Sequence, residues 1–288
     1  MDIQTLNAFI EVARLQSFSK AAEVLFVTQP AISKRITALE TELGTLLFNR
    51  INRKVTLTEA GQVLLPKVQN LRNELTDIRR IASNLSSTVN GELVMGTSHH
   101  IGLHRLPPIL KAFNQHYPEV RLDLRFVSSE EACLGVEQGD LELAVITLPS
   151  TLPEQLQAQT LWVDPLHIVV SPEHPLALAP HTDITTLASY RCVLPSPETY
   201  TYQIIAQAFA EQNQMLNTYL STNYLETLKM LVVAGLGWSL LPETLLDQSV
   251  VVLKTALQLQ RPLGIITHRK RSLSNAARHF LELMTGSS

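Results

Sequence analysis

The 288-residue sequence is 45% hydrophobic and 17% charged, with 11 Gly and 15 Pro. That excludes a disordered or collagen-like chain and allows two or three compact units at roughly 100–200 residues each. Its 23 Lys and Arg against 26 Asp and Glu give −3, which taken whole argues against a nucleic-acid binder. Divided at residue 90 the balance changes: 11 basic against 8 acidic side chains before it, +3, and 12 against 18 after it, −6. The basic part is the better candidate for meeting a polyanion. Two cysteines, Cys133 and Cys192, allow at most one disulfide and no thiol metal cluster, which fits a reducing compartment. The opening MDIQTLNAFIEVARL carries Asp2 and Glu11 in place of a basic leader, so no signal peptide is expected. The longest apolar stretch, near Leu231 to Pro242, falls short of the ~20 residues of a spanning helix. A cytoplasmic protein with no membrane partner is therefore expected.

Leu6, Phe9, Ile10, Val12 and Ala13 follow helical spacing from Asp2 to about Arg14. Ser19 can cap a second, short helix from Lys20 to Leu25, in which Ala21 and Ala22 let a neighbour approach. Thr28 can cap a third, with Pro30 in its first turn and Gly44 as its stop after Leu43. In this third helix Ile32, Ile36, Leu39 and Leu43 form the buried stripe. Pro30, Ser33, Lys34, Thr37 and Thr41 lie opposite. A solvated face more often carries Glu and Lys pairs, whereas small hydroxyls, one cation and no carboxylate at the leading end suit a major groove. Two helices joined by a tight turn, the second bearing such a face, make a helix-turn-helix.

Arg50, Arg53 and Lys54 flank Ile51-Asn52 between the apolar runs Leu46–Phe48 and Val55–Leu57, the pattern of a hairpin with a basic tip. Such a wing would lie beside a duplex, within reach of phosphates or a narrow minor groove. A long helix follows, with Thr56 and Glu59 at capping-box spacing and Pro66 as a source of a kink. Leu64, Val68, Leu71, Leu75, Ile78, Ala82 and Leu85 recur at steps of 4, 3, 4, 3, 4 and 3. That seam is too narrow for a globular core and suits a partner helix, so a dimer through residues 59–85 is expected.

The stretch SFSKAAEVLFVTQPAISKRITALETELGTLLFNRINRKVTLTEAGQVLLP resembles the DNA-binding module of the LysR-type transcriptional regulators, without a gap from about Asp2 through the long helix. The resemblance implies base and backbone contacts with double-stranded promoter DNA by Gln29, Pro30, Ser33, Lys34 and Arg53, with Arg50 and Lys54 nearby. Gln29 has the chemistry for adenine edges, and Lys34 for guanine or a phosphate.

Beyond a polar hinge at Ser86 to Gly91, strand and helix patterns alternate: ELVMGTS, LPPILKAFNQHY, VRLDLRFV, a helix to Gln138 and LELAVI. That is βαβαβ and hence a parallel sheet. A second set comprises LHIVVS, RCVLPS, a helix from about Tyr200 to Asn213, NTYLST, a helix from Tyr224 to Ala234 and VVVLK; PLGIITH and a last helix, Asn275 to Met284, return. Gly235 and Gly237 end a helix rather than open one, so they form no phosphate loop. This part is similar to the two-lobed, periplasmic-binding-protein-like domain of the same family. The implied fold is α+β overall: a winged helix-turn-helix over 1–58, a linker and dimerisation helix with hinge over 59–90, and a two-lobed α/β domain over 91–288. Lobe I would comprise 91–161 and 267–288 and lobe II 162–266, with crossings near Leu161–Pro165 and Ile266–His268. Tetramers, and RNA polymerase as a further partner, are implied by the family alone.

Open α/β sheets bind ligands where loops leave the carboxyl ends of strands. Those loops carry Ser98, His99 and His100, then Ser128 and Ser129, then Thr147, and from the other lobe Ser196, Thr199 and Asn223. Several open helices, where free amides favour an anion, so a small anionic metabolite is the expected effector. By resemblance Ser98, His100 and Ser129 occupy positions that touch effector. His99 and His100 with His104 invite a metal, but adjacent histidines in a loop point apart and no carboxylate or thiol stands near them in sequence, so no metal or other cofactor is expected. Two imidazoles at the cleft mouth suggest an effector response that changes near pH ~6.5. Cys133 and Cys192 read as core rather than as a redox pair. A small-molecule receptor whose helical head only dimerises is the competing reading. An enzyme lacks support, since the chain has no G-x-S-x-G elbow and no His-Glu metal motif.

Overall fold

The structure, a computed structural model, describes residues 2–51, 54–85 and 89–286. The chain divides into two compact units, residues 1–82 and 83–288.

In the first unit α1 (Ile3–Leu15) starts at Asp2, whose carboxylate accepts from the Thr5 amide. The second helix, α2 (Phe18–Val24), is capped by Ser17 and not by Ser19. The earlier start puts Phe18 inside the core, edge-on to Phe48 at 5.8 Å between ring centroids. Thr28 caps α3 (Gln29–Leu43), whose end is set by Gly44 at φ 67, the left-handed conformation that a side chain would disfavour. Ile32, Ile36 and Leu39 are fully buried, but Leu43 is exposed, and Glu40 takes its place inside. Its Oε1 accepts from the amides of Leu47 at 2.8 Å and Phe48 at 3.3 Å, where the chain doubles back after Gly44. The hairpin pairs β1 (Phe48–Ile51) with β2 (Lys54–Leu57), Phe48 opposite Leu57. Thr58, not Thr56, caps α4 (Glu59–Asn84): its hydroxyl oxygen accepts from the Gly61 amide, while Thr56 is still held in the ladder opposite Asn49. Val68 is buried, and Leu64, Leu65 and Leu75 pack on the same core. Nearly all of α4 is thus part of the winged-helix unit, and the unit boundary at residue 82 falls within the span expected as a separate linker. Of the expected hinge, Ser86 to Thr88 lie outside the described residues.

The second unit opens with β3 (Gly91–Thr97), α5 (His99–His104), α6 (Pro107–His116), β4 (Val120–Phe126), α7 (Ser129–Gln138) and β5 (Leu143–Thr147). Both β4 and β5 pair parallel to β3, the expected βαβαβ arrangement. The short helix α5 stands where a loop is expected. Its Gly102 is needed for packing, because a Cβ there would run into the Phe126 ring. A 15-residue strand, β6 (Leu156–Val170), then leaves lobe I for lobe II. Lobe II comprises α8 (Ile184–Ala188), β7 (Cys192–Leu194), α9 (Tyr200–Glu211), β8 (Thr218–Ser221), α10 (Leu225–Val233), β9 (Ser239–Pro242) and β10 (Val251–Val252). The return strand β11 (Leu259–His268) lies antiparallel to β6 over its whole length and takes β5 as a second partner from Leu263 to Thr267. Lobe I pairing therefore begins at Leu263, ahead of the crossing expected at Ile266–His268, and the ladder shifts register between Leu263 and Gly264. The last helix, α11 (Asn275–Thr285), packs in lobe I, where Phe280 meets Phe113 edge-on at 5.2 Å. Lobe II has its own core around Trp238, which stacks on Phe209 and donates to the Leu187 carbonyl.

Candidate functional site

Two surfaces carry chemistry. On the first unit, Gln29, Pro30 and Lys34 are exposed at the start of α3, and Ser33 is half-buried beside them. The Gln29 amide donates to the Ser33 hydroxyl at 3.0 Å, one helical turn on, which holds the amide against the helix. No acidic residue stands in the first turn, so the exposed amides and Lys34 meet no carboxylate there. Arg35 is turned to α1, donating to the Gln4 side chain at 2.6 Å, and is spent on joining the two helices. Lys54 is exposed at the start of β2. Arg53 lies outside the described residues, as does the side chain of Arg50.

In the second unit a cavity of about 350 Å³ opens between the lobes. Its wall takes Ser98, His99 and His100 from the end of β3 and the start of α5, Ser128 and Ser129 from the start of α7, and Thr147 from the end of β5. Thr199 and Asn223 face them from lobe II. Ser196 is joined to this set indirectly, its amide donating to the Asn223 side-chain oxygen Oδ1 at 2.9 Å. Several of these groups are already engaged. The Ser128 hydroxyl and the Glu131 carboxylate form a capping box at α7, Ser129 accepts from the Thr147 amide, and Thr199 accepts from Tyr202. Glu130 accepts from the Tyr200 amide at 2.7 Å, across from lobe I to the start of α9. The helix starts expected to offer free amides are thus partly filled by the protein's own carboxylates.

Sequence reasoning missed the charged groups of this site, two clusters among them. Arg261, on β11, lines the cavity while buried; it donates twice to Asp164, at 2.9 and 2.7 Å, and to the Thr201 hydroxyl at 3.4 Å. Arg105 reaches the same carboxylate at 3.4 Å, so two guanidiniums share one Asp. An arginine at the head of the apolar run RPLGIITH was the available signal. Glu226, in the first turn of α10, faces three histidines of α5: His99 Nδ1 at 3.6 Å, His100 Nδ1 at 3.4 Å and His104 Nε2 at 3.1 Å. The adjacent histidines do not point apart as a loop would have them, because α5 sets both toward lobe II, and the carboxylate comes from more than a hundred residues away. Burial, with the charges of Arg261 and His104, holds His100 down to about 4, so this imidazole undergoes no charge change near pH 6.5. Cys133 and Cys192 are buried, and burial pushes both thiols up, Cys192 to about 11.

A winged helix-turn-helix with an open recognition face on one unit, and a cavity between two α/β lobes on the other, define a DNA-binding regulator with a small-molecule domain. Two protein-family models match the chain: "Bacterial regulatory helix-turn-helix protein, lysR family" over residues 3–62 and "LysR substrate binding domain" over residues 86–287. The chain belongs to the LysR family of bacterial transcriptional regulators and is not an enzyme. It is 33% identical over 267 residues to the HTH-type transcriptional regulator BbuR of Bordetella bronchiseptica, covering 92% of this chain and 82% of that one. The fold is also that of full-length CbnR in complex with its target DNA, with a TM-score of 0.63, 20% identity and full coverage of both chains. The effector-binding domain of QuiR in complex with shikimate matches with a TM-score of 0.62 and 19% identity, covering 69% of this chain and 97% of that one. Among the described residues no helix is long and apolar enough to cross a membrane.

Proposed function

We propose that this regulator acts in the cytoplasm, reading promoter DNA through Gln29, Pro30, Ser33 and Lys34 of α3 and through Arg50, Arg53 and Lys54 of the wing. It pairs through residues 59–85, with tetramers and RNA polymerase as the further assemblies. The cavity takes a small polar metabolite held by Ser98, His99, His100, Ser128, Ser129, Thr147, Ser196, Thr199 and Asn223, with an acidic group on the Arg261 side. Occupancy biases the lobes between open and closed arrangements and so the spacing of the paired heads. The observation that carries this reading is the cavity itself, walled by hydrogen-bonding groups of both lobes. The shikimate complex of QuiR, whose domain shares the fold, supports the ligand class.

The test is binding of the full chain to the region upstream of its own gene at two salt concentrations. Lys34→Ala weakens binding to all duplexes and lowers the salt slope by about one. Gln29→Ala relaxes sequence choice at one base pair, a loss of about 1–3 kcal/mol of discrimination. Ser98→Ala and Ser129→Ala leave DNA affinity intact and reduce the thermal stabilisation given by small carboxylates. Unchanged affinity in both α3 variants overturns the DNA face, and unchanged ligand stabilisation in both serine variants overturns the cavity assignment.

A further inference from the structure

The group at the rim of the cavity has a chemistry of its own. His100 and His104 stand four residues apart on α5, a spacing that places both rings on one helix face, and their centroids are 4.5 Å apart. The same H-x₃-H spacing recurs among zinc ligands. Glu226 Oε1 lies 3.4 Å from His100 Nδ1 and 3.1 Å from His104 Nε2, and the three donor atoms all lie within 4.8 Å of one another. Metal–ligand bonds of about 2.1 Å in a tetrahedral site put neighbouring donors roughly 3.4 Å apart. The two contacts to Glu226, at 3.4 and 3.1 Å, lie close to that length.

Hydrogen bonding alone uses this cluster unevenly. One carboxylate oxygen of Glu226 serves two imidazoles, while its other oxygen, Oε2, is buried without a hydrogen-bond partner among the described residues. That orphaned oxygen faces His99 Nδ1, likewise buried and unpartnered, at 3.6 Å. On the far side of the His100 ring, Nε2 lies 3.0 Å from the Thr244 hydroxyl. A ring that donates from Nε2 to an oxygen leaves Nδ1 as a lone pair toward Glu226, the outer-shell arrangement that orients histidine ligands.

We propose that His100, His104 and Glu226 bind a divalent transition-metal cation of the zinc class, tying α5 of lobe I to α10 of lobe II. Two imidazoles and a carboxylate select zinc or its neighbours over magnesium and calcium, which prefer all-oxygen sites. The donors come from both lobes, so occupancy favours whichever lobe arrangement keeps them together. The site stands whether or not the cavity takes an effector.

The experiment is equilibrium dialysis of the chelator-stripped full chain against Zn²⁺, with metal content measured by mass spectrometry and folding checked by circular dichroism. About one ion per chain is expected, with affinity lowered at least tenfold in Glu226→Gln and in His104→Ala. His279→Ala, which removes a surface imidazole paired with Glu282 on α11, leaves the binding unchanged. Zn²⁺ slows amide exchange in α5 and α10 of the unmodified chain and not in Glu226→Gln. Should one variant fail to fold, the other carries the comparison. The proposal is overturned if the chain takes up no stoichiometric Zn²⁺, if both site variants bind as the parent does, or if His279→Ala loses as much.

Discussion

Glu40 shows how a single side chain can hold two elements that periodicity treats separately. It is buried, and its Oε1 receives the two amides that begin the return from α3 to the wing. Glu40→Ala leaves those amides without an acceptor and lowers stability by about 2 kcal/mol, read in a urea melt, while Glu40→Gln recovers part of it. Leu43, by contrast, falls on the apolar stripe by angle but lies exposed beside the Gly44 turn, so the 100° wheel names the wrong residue for the last position. The two thiols make a second prediction at this scale. Both are buried and pushed up by burial, so neither reacts with a disulfide reagent at pH 8 in the native protein, and both react in urea. Rapid native labelling would show them to be accessible. The histidine cluster was half legible: three imidazoles close together in sequence are visible, but their carboxylate lies 126 residues from His100, and no local pattern reports such a contact.

Among the elements, α4 divides along its length. Its first turns close the winged-helix core through Leu64, Leu65 and Val68, whereas Ile78, 60% exposed, and Leu85 just past the helix end, 86% exposed, continue the same seam without cover among the described residues. The heptad rhythm is legible because apolar spacing is a local property, but which half serves the chain's own core is decided by where β1 and β2 place their side chains. Ile78→Glu puts a carboxylate in the middle of the uncovered seam and is expected to shift the protein to monomer in sedimentation, with little change in far-ultraviolet circular dichroism. The caps, rather than the course of the helices, were read two residues late at Ser19 and two early at Thr56, since the choice between neighbouring hydroxyls is made by tertiary packing: Phe18 enters the core, and Thr56 is claimed by the hairpin ladder. The α/β alternation of lobe I was legible strand by strand. The length of β6 was not, because its opening stretch, Gln157 to Thr160, is exposed and mostly polar where the pairing with β11 continues regardless.

At the scale of the whole molecule the net charge of −3 conceals two opposite balances, +3 over the first 90 residues and −6 over the rest. A modest positive head limits non-specific affinity for DNA, and in the dimer proposed above the second contact would be made at the effective concentration set by the first. The connection between the lobes also has a mechanical sense. Two hydrogen-bonded strands, β6 and β11, pass side by side between them, with their ladder shifted once, at Leu263 and Gly264. A pair of strands bonded edge to edge bends across its face far more easily than it shears or twists apart. The passage therefore works as a leaf spring with one compliant axis: it permits the lobes to nod toward each other while keeping them in alignment, and a single nick in either strand leaves the other to hold them together.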